Sequence, residues 1–95
     1  MTFVKDIFEK LDDNFLRKDL PPGSAEWSHG FDGTISGLIF VCPCGCGIVQ
    51  HLPVSGNKAW KWDGDEVNPT LHPSVLNVGK CGWHGHLVKG EWRKC

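Results

Sequence analysis

The sequence predicts a small β-rich (α+β) zinc-binding domain, zinc-ribbon-like, with an N-terminal amphipathic helix followed by antiparallel hairpins. Three observations lead to that class. Apolar residues recur with steps of three and four through the first fifteen positions. From Ala25 onward the chain consists of short apolar, β-branched stretches broken by Gly, Asn and Pro. Five Cys and five His, all possible metal ligands, are packed into only 95 residues. A chain of that length builds one modest core, and such domains often add a disulfide or a structural metal.

The helix is expected over residues 1–20. Phe3, Val4, Ile7, Phe8, Leu11 and Phe15 would gather on one face and cover a sheet. Thr2 can cap it, Asp6 lies near the positive end of its dipole, and Arg17 and Lys18 suit the other end. Pro21-Pro22-Gly23 stops it. The only soft boundary, Leu20 to Ser24, separates this helix from a β-rich zinc-binding domain over residues 25–95. There, Thr34 to Cys42 and Gly47 to Val54 read as two strands of a hairpin whose tip carries the Cys cluster. Asp63-Gly64 marks a tight turn. Val67 to Val78 contains Asn68-Pro69 and His72-Pro73, so it reads as an edge or irregular strand. His84 to Val88 and Glu91 to Arg93 flank Lys89-Gly90 as a closing hairpin.

Composition excludes several classes. Ten basic and eleven acidic residues give a formal charge of -1, unlike a generally basic nucleic-acid coat. There is no apolar run long enough to span a membrane and no secretory signal is visible. An odd Cys count without an export signal argues against a disulfide framework and for a cytoplasmic protein with reduced thiols.

The ligand pattern is the most specific signal. Cys42-Pro43-Cys44-Gly45-Cys46-Gly47 is a turn whose small residues let backbone amides point at thiolates. Cys42 with Cys44 is the first choice of ligand pair, and all three sulfurs the alternative. A second half-site reads Cys81-Gly82-Trp83-His84-Gly85-His86, with two residues between Cys81 and His84. Four ligands from two turns would close a tetrahedral Zn2+ shell, the structural kind. His86 is expected at the surface or behind a ligand, and His72 is a weaker ligand candidate. His29 and His51 have no partner in sequence and are expected to be solvated, and Cys95 to be a free thiol. Trp60, Trp62, Trp83 and Trp92 are expected to add bulk to a small core and shield the metal. A sharper alternative makes Trp60, Trp62 or Trp27 a platform for nucleobases or a peptide.

Four motifs in order, CPCGCG, then WKWDG at Trp60 to Gly64, then NPTLHPSV at Asn68 to Val75, then CGWHGHLVKGEW from Cys81, resemble a family of small zinc-binding proteins common in phages and prophages. The resemblance covers about residues 34–93. It implies metal roles for Cys42, Cys44, Cys46, Cys81 and His84 and gives no substrate. Relatives in that family also occur beside bacterial ubiquitin-like conjugation genes. Some carry the label ammonia monooxygenase. That activity needs redox copper or iron in a membrane assembly, whereas a sulfur-rich site favours zinc, so the label is rejected.

The functional expectation from sequence is a non-enzymatic structural-zinc module that docks onto a host or phage protein, with no catalytic residue and no membrane partner. Two alternatives remain. A nucleic-acid-binding zinc ribbon would rest on the basic C-terminus and the Trp residues. A zinc-dependent hydrolase would use Asp63, Asp65 or Glu66 as its base.

Overall fold

A computed structural model of the chain describes residues 2–10, 16–56, 59–76 and 82–94. Seven strands occur in the order β1 (Ala25–His29), β2 (Ile35–Val41), β3 (Val49–Pro53), β4 (Lys61–Trp62), β5 (Leu71–Leu76), β6 (His84–Val88) and β7 (Glu91–Lys94). They form two antiparallel sheets, β1-β2-β3 and β4-β5-β6-β7.

The sheets meet across one core. Leu38, Phe40 and Leu52 from the first sheet pack with Leu71, Val75 and Leu87 from the second and with Trp83 just before β6. Period-two alternation explains the choice of residues. On β6, Gly85 and Leu87 point inward and are buried, while His84 is exposed and His86 half-buried. β2 differs because both of its faces are apolar. Its Leu38 and Phe40 enter the shared core, and Ile39 and Val41 form a second cluster with Ile7 and Val49 on the opposite face. Burying apolar surface on both sides of β2 therefore requires a cover.

That cover is the N-terminal segment, whose described part, residues 2–10 and 16–20, is not a helix. Among the described residues there is no helix at all, so the fold is all-β and the expected α+β class is corrected. Phe3 makes a parallel bridge to Ala25, with Val4 N–H on the Ala25 carbonyl at 2.9 Å and Ala25 N–H on the Thr2 carbonyl at 2.8 Å. Leu16 bridges Ile48, and Arg17 N–H donates to the Gly47 carbonyl at 2.7 Å. The physical reason is visible in the apolar set. Ile7 is buried with Val4 and Leu20 packed against its cluster, whereas Phe3 and Phe8 are 39% and 50% exposed. The step of three and four thus does not define one buried face. The buried Arg17 side chain also donates to the Asp6 and Ile7 carbonyls at 2.9 and 2.8 Å, accepting groups that a helix would have satisfied internally. Leu11 and Phe15 lie outside the described residues.

The β-rich body follows the sequence expectation in its hairpins and departs from it at β5. This strand is internal, paired with β4 on one side and β6 on the other. It accommodates Pro73 through a bulge: from Leu71 to Val75 β5 advances four residues while its partner advances two, from Leu87 to Gly85. Pro has no N–H to give to a ladder, and a bulge is where a sheet tolerates that loss. The His72-Pro73 peptide is cis. Indole N–H groups join distant segments. Trp27 donates to the Glu66 carbonyl and Trp92 to the Gly23 carbonyl, each at 3.0 Å.

Candidate functional site

Among the described residues, the β5 bulge brings a hydroxyl to an imidazole. Leu76 is paired with His84, so Ser74 is the diagonal neighbour of His84, two residues along the same strand. The Ser74 hydroxyl and the His84 Nε2 stand 2.9 Å apart. A hydroxyl at that distance from an imidazole nitrogen can pass its proton to the ring as it attacks an electrophile. Among the described residues no carboxylate bonds the other ring nitrogen.

Trp60 holds the bulge in place. Its indole N–H donates to the Pro73 carbonyl at 3.0 Å, immediately before Ser74. Its backbone N–H donates to the Pro53 carbonyl at 2.8 Å, tying the same residue to the end of β3. Ser74 lines an open depression of about 610 Å³ together with Ala59, Lys61, His72, Pro73 and His86. Lys61 is the cross-strand partner of His72.

A second hydroxyl–imidazole contact occurs on the other sheet. Ser28 Oγ is 3.0 Å from His51 Nε2. This hydroxyl is also 3.1 Å from the Gly37 carbonyl, to which it donates, and 3.0 Å from Ser36 Oγ. It is embedded in cross-strand bonding. The His51 ring lies over Gly37 so closely that a methyl group at that position would overlap it. Partial burial of the ring holds the His51 pKa below the usual imidazole value. His51 therefore has a partner that its sequence position did not reveal.

The cysteine turn behaves as its spacing suggests. The sulfur atoms of Cys42, Cys44 and Cys46 lie within 4.8 Å of one another and could hold a metal ion. Cys42 and Cys44 sulfurs are 3.3 Å apart, far beyond a disulfide bond. Two sulfurs bound to one zinc at about 2.3 Å each stand about 3.8 Å apart, close to this separation. The Cys46 N–H donates to the Cys44 sulfur at 3.4 Å. Gly45 and Gly47, at φ values of 96° and 84°, allow the turn. Cys42 is buried at the edge of the shared core, and Cys44 is exposed. Of the second half-site, Cys81 lies outside the described residues, as does Cys95, and the His84 ring is turned to Ser74. His72 and His86 line the depression instead of joining the sulfurs.

The tryptophans occupy structural positions. Trp83 is buried, packs edge-on against Trp92 at 5.9 Å, and its ring covers Gly85, which leaves no room there for a side chain. Trp92 lies 4.7 Å from Phe40. Trp62 lies 4.7 Å from Trp27 and donates to the Asp65 carbonyl at 3.0 Å. Asp63 and Asp65, considered as hydrolytic bases, instead accept backbone N–H bonds of their own turn. For Asp65 these bonds hold its pKa below the ordinary carboxylate value. Ser74 was missed by sequence reasoning. The available signal was His-Pro-Ser in a strand interrupted by Pro, where a bulge redirects a side chain.

A family model described as bacterial ubiquitination-like system serine protease (BubE) matches residues 12–95. No curated protein and no solved structure matches the chain. The match overturns the expectation of a non-enzymatic phage zinc module, because the family is named for an enzyme with a serine nucleophile. The error came from treating the metal ligands as the whole chemistry of the chain and overlooking the hydroxyl beside His84.

Proposed function

Because the chain belongs to the BubE family of bacterial ubiquitination-like system serine proteases, we propose that it is a serine peptidase with Ser74 as nucleophile and His84 as general base. The observation that carries this reading is the 2.9 Å contact between Ser74 Oγ and His84 Nε2 at the β5 bulge, facing an open depression. Ser74 Oγ attacks the scissile carbonyl and its proton passes to His84 Nε2. The tetrahedral intermediate collapses, the leaving amine takes that proton, and an acyl ester remains on Ser74. Water then attacks the ester, His84 takes the water's proton, and its return to Ser74 Oγ releases the acid. Trp60 fixes the carbonyl before Ser74 and so orients the nucleophile. The substrate is a protein of a ubiquitination-like system, cut at a peptide or isopeptide bond.

Cys42, Cys44 and Cys46 bind zinc as a structural staple, with Cys81 as the fourth ligand. The donor set, three sulfurs on one turn, fits that metal. The metal ties the tip of the β2–β3 hairpin and takes no part in the cleavage step. Cysteines kept reduced as metal ligands suit a reducing compartment.

Cleavage of a ubiquitin-like protein carrying a C-terminal reporter tests the assignment. Ser74→Ala and His84→Ala are expected to lower kcat/KM by at least about a thousandfold. Ser28→Ala is expected to stay within about twofold of wild type. Loss of activity in Ser28→Ala with retention in Ser74→Ala would assign the chemistry to the other sheet and overturn the proposal.

A further inference from the structure

We propose that the depression beside Ser74 is a carboxylate-binding subsite, with Lys61 as its specificity-determining residue. The inference rests on the assignment of Ser74 as nucleophile and extends it to the substrate. Lys61, His72, Ser74 and His86 line one open depression, and no carboxylate is among the described residues that line it. Pairing places Lys61 directly opposite His72 on β5, two residues before Ser74. Lys61 forms no ion pair among the described residues. The nearby Asp63 and Asp65 are engaged elsewhere: each accepts two backbone N–H bonds within the 63–70 loop. The depression therefore offers the Lys61 ammonium beside the His72 imidazole, with no carboxylate among its described lining residues.

An anionic group of the substrate would be drawn to it. Side chains on one face of an extended peptide recur every second residue, at about 3.3 Å per residue. A subsite touching Ser74 must then receive a group within one or two residues of the scissile bond. Two sources carry the required chemistry: an acidic side chain beside that bond, or a free C-terminal carboxylate just beyond it.

Two pairs of probes distinguish the sources. The first pair is peptidyl diphenyl phosphonates bearing a glutamate or an isosteric glutamine side chain, which react with an activated serine. The second is quenched peptides ending in a free carboxylate or an amide shortly after the scissile bond. In one pair or the other, wild-type protein is expected to prefer the anionic member by about tenfold. In Lys61→Met that ratio should collapse towards one, and in Lys61→Arg it should be largely restored, with circular dichroism confirming that both variants fold. Preference in the first pair assigns a side-chain carboxylate, and preference in the second a terminal one. Equal rates within both pairs, or a preference that survives Lys61→Met, would overturn the subsite. Labelling of wild-type Ser74 by a neutral fluorophosphonate separates the two levels of inference. If Ser74 reacts but charge makes no difference, only the subsite fails. If Ser74 does not react, the peptidase assignment beneath it fails.

Discussion

Ser74 and His84 are ten positions apart in sequence and meet only because β5 and β6 pair in a particular register. Ser74→Ala is expected to abolish turnover while leaving the melting temperature within a few degrees of wild type, since the half-buried hydroxyl fills little space and surface changes cost roughly 0.5 kcal/mol or less. Thermal melts beside activity assays check both halves of that statement. His51 makes a different, pH-dependent prediction. Its folded-state pKa is lowered by burial, so below the ordinary imidazole value the unfolded chain binds the extra proton first. Stability should therefore fall as pH drops through about 6.5 and be fully present above it. Urea titrations of wild type and His51→Gln across pH 5–8 should show a smaller acid loss in the variant.

Among the elements, β5 and the N-terminal segment carry the sharpest expectations. Trp60→Phe keeps the ring and removes the N–H that holds the Pro73 carbonyl. It should cost about 1 kcal/mol of stability, as for one hydrogen bond, and lower kcat about tenfold with KM little changed. Arg17→Ala deletes bonds to two backbone carbonyls of the covering segment, together with the paired contacts at 2.8 and 2.9 Å to Asp19. Leaving those carbonyls without donors should destabilise the fold by about 2–4 kcal/mol, read from the urea midpoint. The hairpin strands were legible because β-branched and apolar runs bounded by Gly report directly on local backbone preference. The covering segment was not, because Phe3, Val4 and Ile7 satisfy a helical period equally well, and only the apolar outer face of β2 decides what lies on it. The cysteine turn was legible from spacing alone. The Ser–His pair was not, because a two-residue bulge sets which side chains face each other, and no local pattern encodes that register.

At the scale of the whole molecule, two sheets share one small core, and Cys42 sits within it while its neighbours Cys44 and Cys46 reach the surface. Metal bound there would couple the hairpin tip to the core. Chelation at neutral pH, or Cys42→Ser, is expected to remove several kcal/mol, lowering the melting temperature by about 15 °C or more or unfolding the domain. The same core positions the β5 bulge against Trp60, so catalytic geometry and fold stability should be lost together on heating. The most direct test of the central claim is the mass of the protein after reaction with a fluorophosphonate, with the modified residue located by fragmentation. A single adduct on Ser74, absent from Ser74→Ala and much slower in His84→Ala, is the predicted result. An adduct on Ser28, or none on folded wild-type protein, would contradict it.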